Sequence, residues 1–264
     1  MENGKLKAYT KLLNDIVHIA QESGVVFGSL QIIDSTHSLA DVNVQKDDGR
    51  RKKGQPRRDP TARWGGVKHT RTVRDEKGHK RRVPEYFYGY KMHTSFNVEG
   101  QMITSVEVSP GHSYDGHFLP SLIESDPSQG LNIDICTADR GYDDTDNHFL
   151  LQTKGIRSAI HLNHYRTQKK DSNRRCGEAA KQVWFDLKAQ PWYKPSLDQR
   201  YQIERKSEMR RSRFGEAKQY HGLPKGCRHL GIWRYAIQAH LTAIALNWLH
   251  HVFDLKRLVR LLTG

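Results

Sequence analysis

The stretch LNIDICTADRGYDDTDNHFLLQTKGIRSAIHL, residues 131–162, sets two short apolar runs on either side of a segment that opens with acids and closes on glycine. LNIDICTADRG (131–141) is a β-prone run that ends in an acid, Asp139. DDTDNHFLLQTKG (143–155) has capping residues at its start, where Asp143 and Asp144 suit a helix N-terminus, and Gly155 at its end. IRSAIHL (156–162) is β-prone again. Strand, helix and strand in this order give two parallel strands joined by a crossover helix.

Upstream, FYGYKMHTSFNV (87–98) and QMITSVEVS (101–109) are separated by Glu99-Gly100, the pattern of a hairpin. SYDGHFLPSLIES (113–125) predicts a helix with Asp115 near its start and Pro120 in its first turns. SLQIIDS (29–35) predicts a first strand that is apolar up to Asp34, after a helix over about 7–23 that Gly24 ends. Residues 41–85 are basic and rich in Gly and Pro, and predict a long loop. Downstream, 163–196 reads as a polar insertion carrying Trp184 and Trp192, before a charged helix over 197–218 and a long amphipathic helix or helical pair over 231–262.

Three antiparallel strands followed by alternating helices and parallel strands is the order of a ribonuclease-H-like domain. The expected fold is therefore α/β: a mixed five-stranded sheet flanked by helices, with an insertion before the last catalytic helix and a C-terminal helical segment. The expected division is a helical lead-in over 1–28, a catalytic domain over 29–230, and a C-terminal helix over 231–264 packing on the core.

Lysine and arginine outnumber aspartate and glutamate 43 to 29, for a net charge of +14, so the natural partner is rich in phosphate. Three scattered cysteines, Cys136, Cys176 and Cys227, form neither a disulfide framework nor a zinc ribbon. No apolar run is long enough to span a bilayer, and the N-terminus lacks a signal-peptide core, which points to the cytoplasm. His161 and His164 have no further ligand at zinc spacing and read as structural or surface groups.

Against this positive background three acids stand out: Asp34 ending the first strand, Asp139 just past the fourth, and Glu204 in the helix after the fifth. In a ribonuclease-H-like sheet the first and fourth strands are neighbours, so the acids converge. Grouped carboxylates repel unless cations sit among them, and hard oxygen donors suit two Mg²⁺ or Mn²⁺ ions. Two such cations about 4 Å apart would activate a water or a 3′-hydroxyl and stabilise the leaving oxygen in an in-line displacement at a phosphodiester.

With these residues the sequence resembles the DDE transposases of bacterial insertion sequences over about residues 8–262. The likeness rests on IIDST around Asp34, FYGYKMHTSFNVEGQMITSVEVSPGHSYDG across the hairpin, TADRGYDD around Asp139, and RYQIERKSEMRRSRFGEAKQYHGLPKGCRHLG around Glu204. It implies that Asp34, Asp139 and Glu204 are the catalytic, metal-binding triad. It also implies nicking of transposon-end DNA and strand transfer to a target, by chains that associate on DNA near the nucleoid without a small-molecule cofactor or a membrane.

Many relatives carry a tyrosine, arginine, glutamate, lysine pattern around the third acid. Here Arg200, Glu204 and Arg211 keep its offsets, and Leu197 stands in the tyrosine's place. Arg200, one helical turn before Glu204, either orients the carboxylate or binds a phosphate. Expected DNA contacts are Arg200, Arg211, Lys91, Arg205, Lys218 and Trp184, with Lys91 alternatively engaged in cross-strand pairing and Asp115 read as a helix cap. Relatives usually carry an N-terminal DNA-binding domain, whereas about thirty residues precede the first strand here, so a shortened chain is expected. The rival expectations are a plain metal-dependent nuclease and a catalytically impaired DNA-binding remnant.

Overall fold

The computed structural model describes residues 2–74, 78–163, 186–205 and 226–263. Six strands follow in chain order: β1 (Leu30–Leu39), β2 (Arg63–Arg74), β3 (Lys80–Asn97), β4 (Met102–Pro110), β5 (Ile135–Ala138) and β6 (Arg157–Ile160). The main sheet runs β4-β3-β1-β5-β6, with β1 antiparallel to β3, β3 antiparallel to β4, and the pairs β1–β5 and β5–β6 parallel. This is the mixed, ribonuclease-H-like sheet expected from the sequence.

The helices are α1 (Glu2–Glu22), α2 (Val44–Lys52), α3 (Leu119–Ser128), α4 (Thr145–Thr153), α5 (Tyr193–Arg205) and α6 (Ile232–Thr263). α1 stops where Gly24 adopts φ +87°, a left-handed conformation that favours glycine. α4 starts at Asp144, whose carboxylate accepts the Asp146 N–H at 3.0 Å, so that acid caps the helix as expected. Pro120 sits in the first turn of α3, where its missing N–H costs nothing.

Because side chains alternate along a strand, β1 feeds two cores at once. Ile32 joins Tyr90, Met92, Phe96, Ile103, Tyr235, Ala239, Ala243 and Leu246 on the face covered by α6, with Leu13 of α1 beside them. Alanines on α6 let that long helix lie close to the sheet. Ile33 points the other way, into Leu119, Leu122, Ile123, Cys136, Ala138, Leu151 and Ile160 under α3 and α4. α5 covers the parallel edge on the α6 side, with Tyr193 and Leu197 packed against Ala159 and Ile135. No helix among the described residues is long and apolar enough to cross a membrane.

Three expectations need correction. Residues 41–85 are not one long loop: they hold α2, β2 and the start of β3. α2 is built on an Asn43 cap and buries only Asp47, so it has no apolar stripe to betray it. β2 pairs with Lys80–Gly89 of β3 as an outer ribbon, and irregularities at Trp64–Val67–His69 break its period, which makes six strands where five were expected.

Asp34 does not end its strand. It lies within β1, one residue past the last parallel pair, Ile33 with Ala138, and opposite Thr94 of β3. The apolar run stops there because the flanking strand β5 stops, while β1 continues along β3. Finally, residues 193–196, assigned to the insertion, form the first turn of α5.

Candidate active site

Asp34 and Asp139 meet because of the strand register. Each is the residue that follows a member of the terminal parallel pair, so the two strands bring their acids to neighbouring positions where the ladder ends. The backbone then holds each carboxylate. Ser35 N–H donates to Asp34 Oδ1 at 2.9 Å, and Gly141 N–H donates to Asp139 Oδ1 at 2.8 Å, making Asp139 the cap of a short 3₁₀ turn over Arg140–Tyr142.

Burial raises the Asp139 pKa above its ordinary value, because desolvation disfavours the charged form; the Arg200 guanidinium and the Gly141 N–H pull it down, while the neighbouring Asp115 charge pushes it up. Arg200 reaches from α5, with Nη2 at 3.7 Å from Asp34 Oδ1 and both side chains mostly buried. Glu204 lies one turn further along the same helix, and an i, i+4 relation puts its backbone on the face that carries Arg200. Its side chain lies outside the described residues, as does that of Arg205. Arg211, Lys218, Trp184 and His164 also lie outside them.

Lys91 and Asp115 hold places that their sequence readings do not convey. Lys91 Nζ donates to Asp115 Oδ1 at 2.6 Å and to the Ser113 carbonyl at 2.9 Å. Asp115 is not a helix cap: its other oxygen accepts the Ser35 hydroxyl at 3.1 Å. Ser35 also shares a hydrogen bond with the Tyr142 side chain, and Tyr142 Oη lies 3.0 Å from His93 Nδ1. His93 is buried, its pKa lowered to about 4 by desolvation, so the ring is neutral near pH 7. The second ring nitrogen meets Ser109 Oγ at 2.9 Å, and the ring stacks on Phe118 at 4.2 Å between centroids.

Nearby histidines and tryptophans have structural partners. His161 Nε2 lies 3.0 Å from Arg140 Nη2, which suits a structural role better than a metal ligand. Trp192 receives the Arg157 guanidinium over its ring at 5.4 Å and packs beside β6. Asp143, whose side chain is fully buried, accepts the Asn163 N–H at 2.7 Å and lies 3.1 Å from His148 Nε2, leaving the capping of α4 to Asp144.

Among the described residues no three His, Cys, Asp or Glu side chains group as a metal set. Asp34 and Asp139 nonetheless fit a hard divalent cation in donor chemistry: two adjacent carboxylates, one of them held partly desolvated, which a cation would stabilise in its charged form.

The family model of the transposase DDE domain matches residues 27–248, a range that runs from just before β1 into α6 and contains all three acids. Among solved structures, the Mos1 transposase paired-end complex with left transposon end is similar at 10% identity with a TM-score of 0.27. That alignment covers 89% of this chain and 62% of the other, so the present chain spans less than two thirds of that relative. No curated protein matches the sequence.

Proposed function

Given that the chain belongs to the DDE transposase family, we propose that it cuts one strand at a transposon end and joins the freed 3′ end to target DNA, with Asp34, Asp139 and Glu204 holding two Mg²⁺ or Mn²⁺ ions. The observation that carries this reading is the delivery of Asp34 and Asp139 to adjacent positions by the terminal parallel pair. Bound there, the ions would activate a water or a 3′-hydroxyl and stabilise the leaving oxygen.

The remaining work falls to the chain itself. The Ser35 and Gly141 N–H groups fix one oxygen of each carboxylate and so hold the two groups in the orientation in which they would meet the cations. Arg200 lies close enough to Asp34 to serve a non-bridging phosphate oxygen at the same place. Arg205, Arg211 and Lys218 extend positive charge beyond Arg200 along the chain, in keeping with a net charge of +14, and hold the DNA backbone while Trp184 stacks on an exposed base. A transposon has two ends, and self-association of the chain would bring both into one assembly.

The test is product analysis with end-bearing DNA, target DNA and Mg²⁺. Nicked and joined products are expected, and Asp34→Ala should remove both. Nicks without joined products would make the protein a nuclease, and binding without nicks would make it a DNA-binding remnant.

A further inference from the structure

One carboxylate outside the triad touches the segments that carry both acids. Asp115 Oδ2 accepts the hydroxyl of Ser35, the residue after Asp34, whose side chain emerges on the opposite face of β1 from Asp34. The same oxygen stands against the turn that follows Asp139: a β-carbon at Gly141 would sit 3.1 Å from Asp115 Oδ2 and 3.0 Å from Asp139 Oδ1. Asp115 therefore lies behind the sheet, wedged between the strand of one acid and the turn of the other. Tyr142, next in that turn, closes the loop by bonding Ser35 and His93.

A neutral amide would avoid placing another negative charge near Asp139, but it has one acceptor oxygen where Ser35 and Lys91 each donate to a different one, so it cannot keep both links. The carboxylate is accommodated because Lys91 pairs with it at 2.6 Å, with 16% of each side chain exposed. Lys91 is itself aimed by the Ser113 carbonyl, and Phe118, three residues after Asp115, stacks on His93. The pair is thus anchored on β3 at one end and on the turn before α3 at the other.

We propose that Asp115, neutralised by Lys91, is a positioning residue that sets the spacing of Asp34 and Asp139 and so the affinity of the site for its cations. This rests on the reading of those two acids as metal ligands. Residues that orient ligands from behind typically change metal affinity by about 10–100-fold when altered.

The experiment measures Mn²⁺ binding directly, by the electron paramagnetic resonance of free Mn²⁺, on the full chain without DNA. Thermal midpoint and DNA affinity are followed in parallel. Asp115→Asn is expected to weaken Mn²⁺ about 10–100-fold and Ser35→Ala to weaken it less, both with wild-type DNA affinity. Asp34→Ala should weaken it most. If Asp115→Asn fails to fold, Ser35→Ala, which removes one hydroxyl, decides the matter. Wild-type Mn²⁺ affinity in Ser35→Ala and in any folded Asp115→Asn overturns the proposal and leaves Asp115 as a structural partner of Lys91. Wild-type Mn²⁺ affinity in Asp34→Ala overturns the reading of the acids, and the proposal falls with it.

Discussion

The two faces of the sheet are built on different terms. Under α6 and α1, strands β1, β3 and β4 present Ile32, Met92, Phe96, Ile103 and Val106, and the contact is mainly apolar, with Asn247 bonding the Ile103 backbone and Ser38 meeting Tyr235. Its buried acid, Asp59, sits at the rim and is satisfied by the Tyr90 hydroxyl at 2.6 Å and by N–H groups of Thr61, Ala62 and Gly231. Under α3, the same strands present Gln31, His93, Ser95, Asn97 and Thr104, all buried, around Asp126. One face gains its stability from area removed from water. The other gives up some of that gain to fix polar atoms in place, and the same face carries His93, bonded to Tyr142 and Ser109, and Ser35, bonded to Asp115, behind the acids. The contrast shows where positioning is spent: behind the site, not around it.

The largest effect should come from the seam between the faces. Asp34→Ala is expected to lower DNA nicking by about a thousandfold, the several kcal/mol that a correctly held cation supplies, with DNA affinity in a filter-binding assay unchanged. If nicking survives, the acid does not belong to the site. Next comes the apolar face: Phe96→Ala should cost about 3–5 kcal/mol in urea unfolding, since Phe96 is 2% exposed and its neighbours cannot close the gap. A cost near zero would mean that this face is less tightly packed than its contacts imply.

Asp126 tests the polar face. Burial raises its pKa to about 7, against the hydrogen bonds from Thr104, Ser95 and Gln31 that pull it down. At this group the folded chain keeps its proton where the unfolded chain has lost it, between about pH 4 and 7, so the contribution of Asp126 to stability falls as pH rises through that window and levels off above it, while buried neutral His93 contributes in the opposite sense. Asp126→Asn removes this titration, so the stability of the variant relative to wild type should grow from about pH 4 to 7 and leave it about 2 kcal/mol more stable at pH 8. A difference between the two proteins that stays constant over that range would contradict this. The smallest effect is local: Asp144→Ala removes the cap of α4 and should cost about 1 kcal/mol in the same unfolding measurement.

How much of this could be read from the residues depended on periodicity. The hairpin of β3 and β4 and the β5-α4-β6 unit were legible because apolar spacing and turn residues agreed, and the neighbouring positions of Asp34 and Asp139 followed from sheet order. α2 and β2 were not legible: a helix that buries only Asp47 and a ribbon with broken register leave no apolar period. The Lys91–Asp115 pair was hidden for another reason. Its members are 24 residues apart and meet only after β3 pairs with β4 and the chain turns back at Ser113. A signal was present in the charged Lys91 on an otherwise core-forming strand.

Among the described residues β3 is the strand shared by the ribbon and the main sheet. It runs unbroken from Lys80 to Asn97, changing edge partner from β2 to β4 after Gly89, where a β-carbon would collide with the Ser38 carbonyl. At about 3.4 Å per residue, the outer half from Lys80 to Gly89 is a beam roughly 30 Å long. Lys91 is fixed two residues inside that crossing. Gly89 itself is pinned there, paired with Leu39 of β1 and Arg63 of β2 and accepting the Gly111 N–H at 2.9 Å, so a load applied to the outer half is passed along β3 toward the ammonium that holds Asp115.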